Sequence, residues 1–434
     1  MFGDLVEFYN LSSVILFKGG WVFFAMALVY IFYRLYMDFI NIRWYKEQRW
    51  VFLKIAAPLD NEKSPLTFEH IFNQLHALHA TFTFPEKYIE GQFQIWLTWE
   101  LTSIGGAIGN YVRILEKHRD TLEAAIYSQF PNAEITEAED YFQLLPKYHP
   151  DHSEYAIFAY DMVAKKPEHG YPIRTYLDYE HASADTIVDP VTGMWEELGK
   201  LSPHEMFVMQ YVVRPVDDSW KKKARDLVSE LKGEPEEHAE RGIIATVLHG
   251  ILDVFFEVAI RPTPVENGGR PQEEPPSLML HRTETEKEVI AAVEKKLSRL
   301  SFATKIRCVY IAPREKFNPS PAYTAHIGAV KALSSTILNS IKPDTDTWTK
   351  VKYWMFKDWE RPILEIRRKY RERHFMHMIV DRWYFWGPPA YIMSTEELAT
   401  LIHFPSIEVK VPQIEKVTAT KVQPPPELPI AVDI

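Results

Sequence analysis

The sequence predicts an α+β protein hung on a single N-terminal transmembrane helix, and three observations predict it. An apolar stretch near the start carries only two charges. Behind it, short β-rich runs alternate with segments of helical period. The chain then ends in an extended, Pro-rich segment that has no core of its own.

The apolar stretch, VILFKGGWVFFAMALVYIFYRLYM, runs from Val14 to Met37 with Lys18 and Arg34 as its charges. As a helix it would be about 36 Å long, against a hydrocarbon layer of roughly 30 Å. Lys18 and Arg34 lie near its ends, where long cationic side chains reach the headgroups. Trp21, Phe23, Phe24, Leu28, Ile31 and Tyr33 are the residues expected to meet lipid, with Trp21 and Tyr33 among the interfacial aromatics. A signal peptide would begin basic and end in small residues, whereas this start, MFGDLVEFYN, is acidic and the stretch ends in bulky aromatics. A buried helix of a soluble protein is the remaining competitor, and the missing polar face weighs against it. Lys18 alone precedes the apolar core, while Arg34, Arg43, Lys46, Arg49 and Lys54 follow it. The positive-inside rule therefore expects a single-pass protein of the cytoplasmic (inner) membrane with its body on the cytoplasmic side.

After this anchor, taken as residues 1–47, residues 48–150 read as a first unit. WVFLKIAAPL is a strand, and SPLTFEHIFNQLHALH is a helix with Ser64 and Pro65 at its start. FQIWLTWELTS and NYVRIL form a hairpin around a turn marked by Gly105, Gly106 and Gly109, RDTLEAAIYSQF is a helix, and AEITEAEDY is a last strand. This β-α-β-β-α-β order is the split βαβ pattern of ferredoxin-like sandwiches. Residues 151–345 read as a second, stretched unit of the same kind. Its strands are YAIFAYDMVAK, YPIRTYLDYE, MFVMQYVVRPV and KIRCVYIAP; its helices are DPVTGMWEELGKL, ETEKEVIAAVEKKLSRLSF and PAYTAHIGAVKALSSTILN. An insertion at about 217–280 holds a charged helix, an apolar segment and a Pro/Gly/Glu-rich loop. Asp253, Glu257 and His249 make that apolar segment a packed or interfacial helix rather than a second span.

Residues 346–393 form a basic, aromatic helical segment, in which ten lysines and arginines stand against five acidic residues from residue 349 on. Arg367, Arg368, Lys369, Arg371 and Arg373 are its candidate contacts to nucleic acid, an anionic membrane or a protein partner. A solvated basic face is the plainer alternative. The segment 394–434 reads as the extended tail. The net charge of −10 argues against a surface that grips nucleic acid throughout, and the lone Cys308 excludes a disulfide scaffold.

No phosphate loop, HExxH, CxxC or GxSxG occurs. His76 and His79 share a helix face, yet no carboxylate at helical spacing completes a metal site. His238 with Glu240, and His374 with His377, are no better organised. The expectation is a non-enzyme with no catalytic residue, no metal and no cofactor.

The order of these pieces resembles the non-catalytic module that precedes HerA/TraG-type DNA-pumping ATPases in type IV secretion or conjugation-like loci of candidate-phylum bacteria and archaea. WVFLKIAAP, SPLTFEHIFNQLHALH, the GGAIGNYVRI hairpin and SQFPNAEITEAEDY carry the likeness. The stretches Glu396 to Pro405 and Pro424 to Pro429 are its most specific parts. In that family the Pro-rich tail leads toward the ATPase. This chain ends at Ile434 with no Walker motif, so the resemblance implies a separately encoded ATPase as partner. It implies an accessory or scaffold role in a DNA-translocating machine, with the bilayer, DNA and further copies of the chain as the other partners it leaves open.

Overall fold

The computed structural model describes residues 21–56, 63–145, 147–180, 191–232, 283–352 and 357–404. Lys18, Asp189, Pro190, the apolar segment and loop of the insertion, and the PPPELP tail lie outside the described residues.

Helix α1 (Trp21–Glu47) leads into β1 (Trp50–Ala56). The first half continues with α2 (Leu66–Leu75), the short α3 (Phe84–Tyr88), β2 (Leu97–Ile104), β3 (Ala107–Leu115), α4 (Arg119–Gln129) and β4 (Glu134–Glu137). The second half comprises β5 (Tyr155–Ala164), α5 (Leu177–Glu180), α6 (Thr192–Leu198), β6 (Met206–Pro215), α7 (Trp220–Lys232), α8 (Glu284–Leu297), β7 (Ser301–Pro313), α9 (Ser320–Ala332) and β8 (Ile341–Pro343). The chain then forms α10 (Lys357–Val380), β9 (Tyr391–Ser394) and α11 (Thr395–Leu401).

Among the described residues these nine strands make one antiparallel sheet in the order β4-β1-β3-β2-β6-β7-β5-β8. β9 pairs with β7 at Ser301–Thr304, just where β5 leaves off at Ile306. The order β4-β1-β3-β2 of the first four strands recurs as β8-β5-β7-β6 in the next four. The two quartets meet edge to edge, Leu97–Ile104 against Val213–Met206. The hairpin between β2 and β3 turns on Gly105 and Gly106, both at positive φ (59° and 84°), the conformation a two-residue I′ turn requires and glycine adopts without strain.

One face of the sheet carries α2, α4, α6, α9 and α11 over a core that includes Phe68, Phe72, Trp99, Trp195, Phe207 and Phe302. The other face is covered by the C-terminal half of α10, where Phe375, Met376, Met378 and Ile379 pack on Ile157, Val208, Val309 and Ile311. Each fully buried Leu, Ile or Phe side chain contributes about 1.5–3 kcal/mol relative to exposure. β6 and β7 are buried along nearly their whole length. Their unbroken apolar runs reflect cover on both faces rather than the alternation of a half-solvated strand.

Two expectations fail. YPIRTYLDYE is not a strand: residues 171–176 are irregular and Leu177–Glu180 is helical. Pro172 has no N–H to give a ladder, and the amides of Ile173 and Tyr176 donate instead to the Glu397 carboxylate (2.9 Å) and the Thr400 hydroxyl (3.1 Å). The start of the expected tail is likewise not extended, because Ser394 and Glu397 close a capping box and every residue of α11 is buried.

Candidate functional site

Helix α1 is 27 residues long, about 40 Å at the usual rise, and it is long and apolar enough to cross a membrane. The sequence placed its end at Met37; the helix runs on to Glu47. Its apolar residues stand away from the body: Trp21, Phe24, Leu28, Ile31 and Tyr33 are all exposed, Phe24 by 67% and Leu28 by 65%. Among the described side chains of α1, the first buried position is Ile40. Gly91, at φ +76°, lies so close to Ile40 that a Cβ there would sit 2.5 Å from the Ile40 carbonyl carbon. The backbone after α3 is thus fitted against the lower part of the helix.

Where α1 meets the sheet the contacts become aromatic. Tyr45 stacks on Trp96 (5.6 Å between centroids) and meets Trp383 edge-on at 4.6 Å, and Trp44 and Phe385 both pack on Phe93. The Arg113 guanidinium lies over Trp50 at 4.1 Å.

Beneath this collar lies a buried ion network. Arg382 donates from Nε and Nη2 to Glu100 (2.7 and 3.1 Å) and from Nη1 and Nη2 to Asp140 (2.6 and 3.0 Å). Glu100 also accepts from the Tyr141 hydroxyl (2.6 Å) and the Gln210 amide (2.8 Å). Burial opposes the charge on Arg382, but Glu100 and Asp140 together hold its pKa well above the ordinary value. Nearby, Arg307 and Asp161 face each other at 3.7 Å. Burial pushes the Asp161 carboxyl up to about 6 against the pull of Arg307.

A second network lies on the opposite face. Glu397 pairs with Lys296 at 3.0 Å, Glu396 with Lys295 at 2.9 Å and Arg299 at 3.3 Å, and Arg299 reaches on to Glu69. Burial lowers the Lys296 pKa against the attraction of Glu397. The two glutamates of the stretch from Glu396 to Pro405 therefore fasten α11 to α2 and α8 inside the body.

The basic residues of α10 divide. Arg368 pairs with Glu372 (2.7 Å), Lys369 with Asp151 (2.7 Å), and Arg371 donates to the Thr345 and Trp348 carbonyls (3.3 and 2.8 Å). Arg367 and Arg373 are exposed. Between them runs an exposed apolar line at helical spacing, Trp359, Ile363, Ile366 and Tyr370, which sequence reading missed. Its signal was the i, i+4, i+7, i+11 repeat hidden among the charges. Tyr370 stacks on His374, which meets Trp386 at 5.5 Å.

His76 stacks on His79, and its Nε2 lies 3.1 Å from the Val216 carbonyl oxygen. Among the described residues no group of three or more His, Cys, Asp or Glu is arranged to hold a metal ion. His326 is fully buried, with Nδ1 2.8 Å from the Tyr160 hydroxyl, and burial pushes its pKa down to about 4. Its folded pKa is depressed, so the unfolded chain binds the proton more readily and stability falls as pH drops from about 6.5 toward 4. The loss is on the order of 3 kcal/mol. Asp161, with a raised folded pKa, acts in the opposite sense between about 3.8 and 6. The acid loss attributable to the histidine is expected to disappear in His326→Leu, read as urea midpoints of the two proteins at pH 7 and pH 5.

These features define a mixed α/β protein: among the described residues, one antiparallel sheet layered with helices, and an N-terminal apolar helix that stands clear of the body. The chain belongs to the DUF8128 family, a domain of unknown function, which matches residues 58–326. Comparison with curated proteins gives no match to this chain.

Proposed function

We propose that this protein is a membrane-anchored, non-catalytic platform whose body docks a separately encoded HerA/TraG-type ATPase at the cytoplasmic face of the inner membrane, within a type IV secretion or conjugation-like DNA-translocating machine. The observation that carries the reading is α1, on which Trp21, Phe24, Leu28, Ile31, Phe32, Leu35 and Phe39 are all exposed; lipid is the solvent that satisfies them. The positive residues that follow Met37 favour the cytoplasmic side for the body. The repeated strand order supports two ferredoxin-like units joined through β2 and β6. The resemblance in α11 and the Pro-rich tail supports the ATPase as partner, and the apolar line of α10 offers it a surface.

The test is affinity purification of the full chain from a detergent extract. A RecA-like ATPase is expected to co-purify, and Ile363→Asp with Ile366→Asp is expected to lower its recovery at least tenfold. A crosslinked sample that remains a clean monomer would end the proposal. The exposed Arg367 and Arg373 beside Tyr370 favour one second reading, direct contact with nucleic acid. With Arg367 and Arg373 as the two phosphate contacts, a log–log salt slope of about −1.4 on single strands is expected; affinity that does not change with salt would remove this reading.

A further inference from the structure

A cleft of about 650 Å³ opens at the foot of α1, lined by Ile42, Tyr45, Lys46, Trp50, Arg113, Asp381 and Trp386, with the ion pair of Arg382 and Asp140 behind them. This volume lies in the range of small-molecule sites, roughly 300–1,000 Å³. We propose that it is a binding site for the head group of a zwitterionic phospholipid, a proposal that rests on α1 spanning the bilayer.

Three observations converge on it. The first is level. The exposed apolar surface of α1 ends at Ile42, and Arg43, Lys46 and Glu47 follow it. Counted from Trp21, the roughly 20 residues that cross about 30 Å of hydrocarbon end near Ile40, with Arg34 snorkelling toward the interface from within the span, so the cleft opens at the level of the head groups, beside aromatic rings of the kind that settle there. The second is charge. Arg382 is already spent on Glu100 and Asp140. That leaves Lys46 and Arg113 as cations and Asp381 as an exposed carboxylate on the rim. Two cations suit a phosphate diester, and a carboxylate suits an ammonium group a few atoms further on. A head group with phosphate alone would leave Asp381 opposed to it. The third is preorganisation. Arg113 is held over Trp50, and its Nη1 donates to the Tyr45 hydroxyl and the Asp381 carbonyl, both at 3.3 Å. These contacts are long for hydrogen bonds to guanidinium, so a phosphate could take Arg113 donors at shorter range.

The experiment reconstitutes the full chain into nanodiscs of mixed phosphatidylcholine, phosphatidylethanolamine and phosphatidylglycerol, releases it into mild detergent, and counts retained lipids by native mass spectrometry. One zwitterionic lipid per chain is expected to persist. Arg113→Gln and Lys46→Gln are each expected to lower its retention about tenfold, the value of one charge-assisted hydrogen bond. Asp381→Asn, at an exposed rim position, is expected to shift retention toward phosphatidylglycerol. Soluble phosphoethanolamine is expected to displace the lipid at concentrations where inorganic phosphate does not; displacement by phosphate alone would reduce the site to an anion hole and overturn the assignment. Retention that all three variants leave unchanged, or preference of the unmodified chain for phosphatidylglycerol, would likewise overturn it while leaving the anchor intact. A chain that never enters the nanodiscs fails earlier, on the spanning of α1.

Discussion

Replacing Arg382 with alanine is expected to lower the unfolding free energy by about 3–5 kcal/mol, the usual cost of removing one partner from a buried ion pair. Arg382 is 1% exposed and Glu100 is fully buried. The substitution leaves two carboxylates facing each other without their cation, and Glu100 retains only the Tyr141 and Gln210 hydrogen bonds. The damage extends beyond the pair. Arg382 sits at φ +55°, its carbonyl accepts the Trp96 indole N–H at 2.9 Å, and its guanidinium lies over Phe52. It is the point at which the turn after α10 is fastened to β2. Arg382→Lys is expected to recover only part of the stability, because an ammonium cannot make the two-pronged contact to Glu100. Glu100→Gln combined with Arg382→Met should cost less than Arg382→Ala alone, since the fully buried carboxylate is neutralised and only the partly exposed Asp140 is left without its cation. Urea unfolding of the full chain in micelles gives the comparison. A cost below about 1 kcal/mol for Arg382→Ala would mean that water reaches Glu100 and that the network does not hold the turn.

That network was half legible in the sequence. A carboxylate at Glu100, between Trp99 and Leu101 in a strand flanked by buried neighbours, announces a buried charge that needs a partner. Nothing local says that the partner lies 282 positions away, and in a run of ten basic residues Arg382 looks like one more solvated cation. The same blindness divided α10. Composition could count its arginines, but only the fold shows that Arg368, Lys369 and Arg371 are committed to Glu372, Asp151 and two carbonyls. Long periodic elements such as α2 and α4, and the apolar runs of β6 and β7, could be read directly because burial imposes their pattern. Tyr171 to Glu180 misled because aromatic and β-branched residues favour strands only where a neighbouring edge is available. Here α11 claims the backbone first, through Glu397 and Thr400.

Charges placed in α1 are expected to release the protein from membranes while leaving its body folded. Each charged residue at the centre of a spanning helix costs about 2.5–3.5 kcal/mol on insertion scales. Leu28→Asp with Ile31→Lys should therefore remove roughly 5–7 kcal/mol of insertion free energy, enough to turn a pelleted protein into a soluble one in a carbonate-washed membrane fraction. Two opposite charges one turn apart on an exposed helix still favour helicity, so loss of the helix would not be the cause. Leu28 and Ile31 are both exposed and lie more than two turns before Ile40, the first buried residue of α1. The thermal transition of the body is accordingly expected to shift by less than about 1 kcal/mol equivalent, as for surface positions generally. The pair of measurements separates the two accounts of this helix. In a bilayer span, partitioning changes and the fold does not. In a helix covered by another part of this protein or by a second copy, the same substitutions would unfold or dissociate it, and the unmodified chain would already be found in the supernatant.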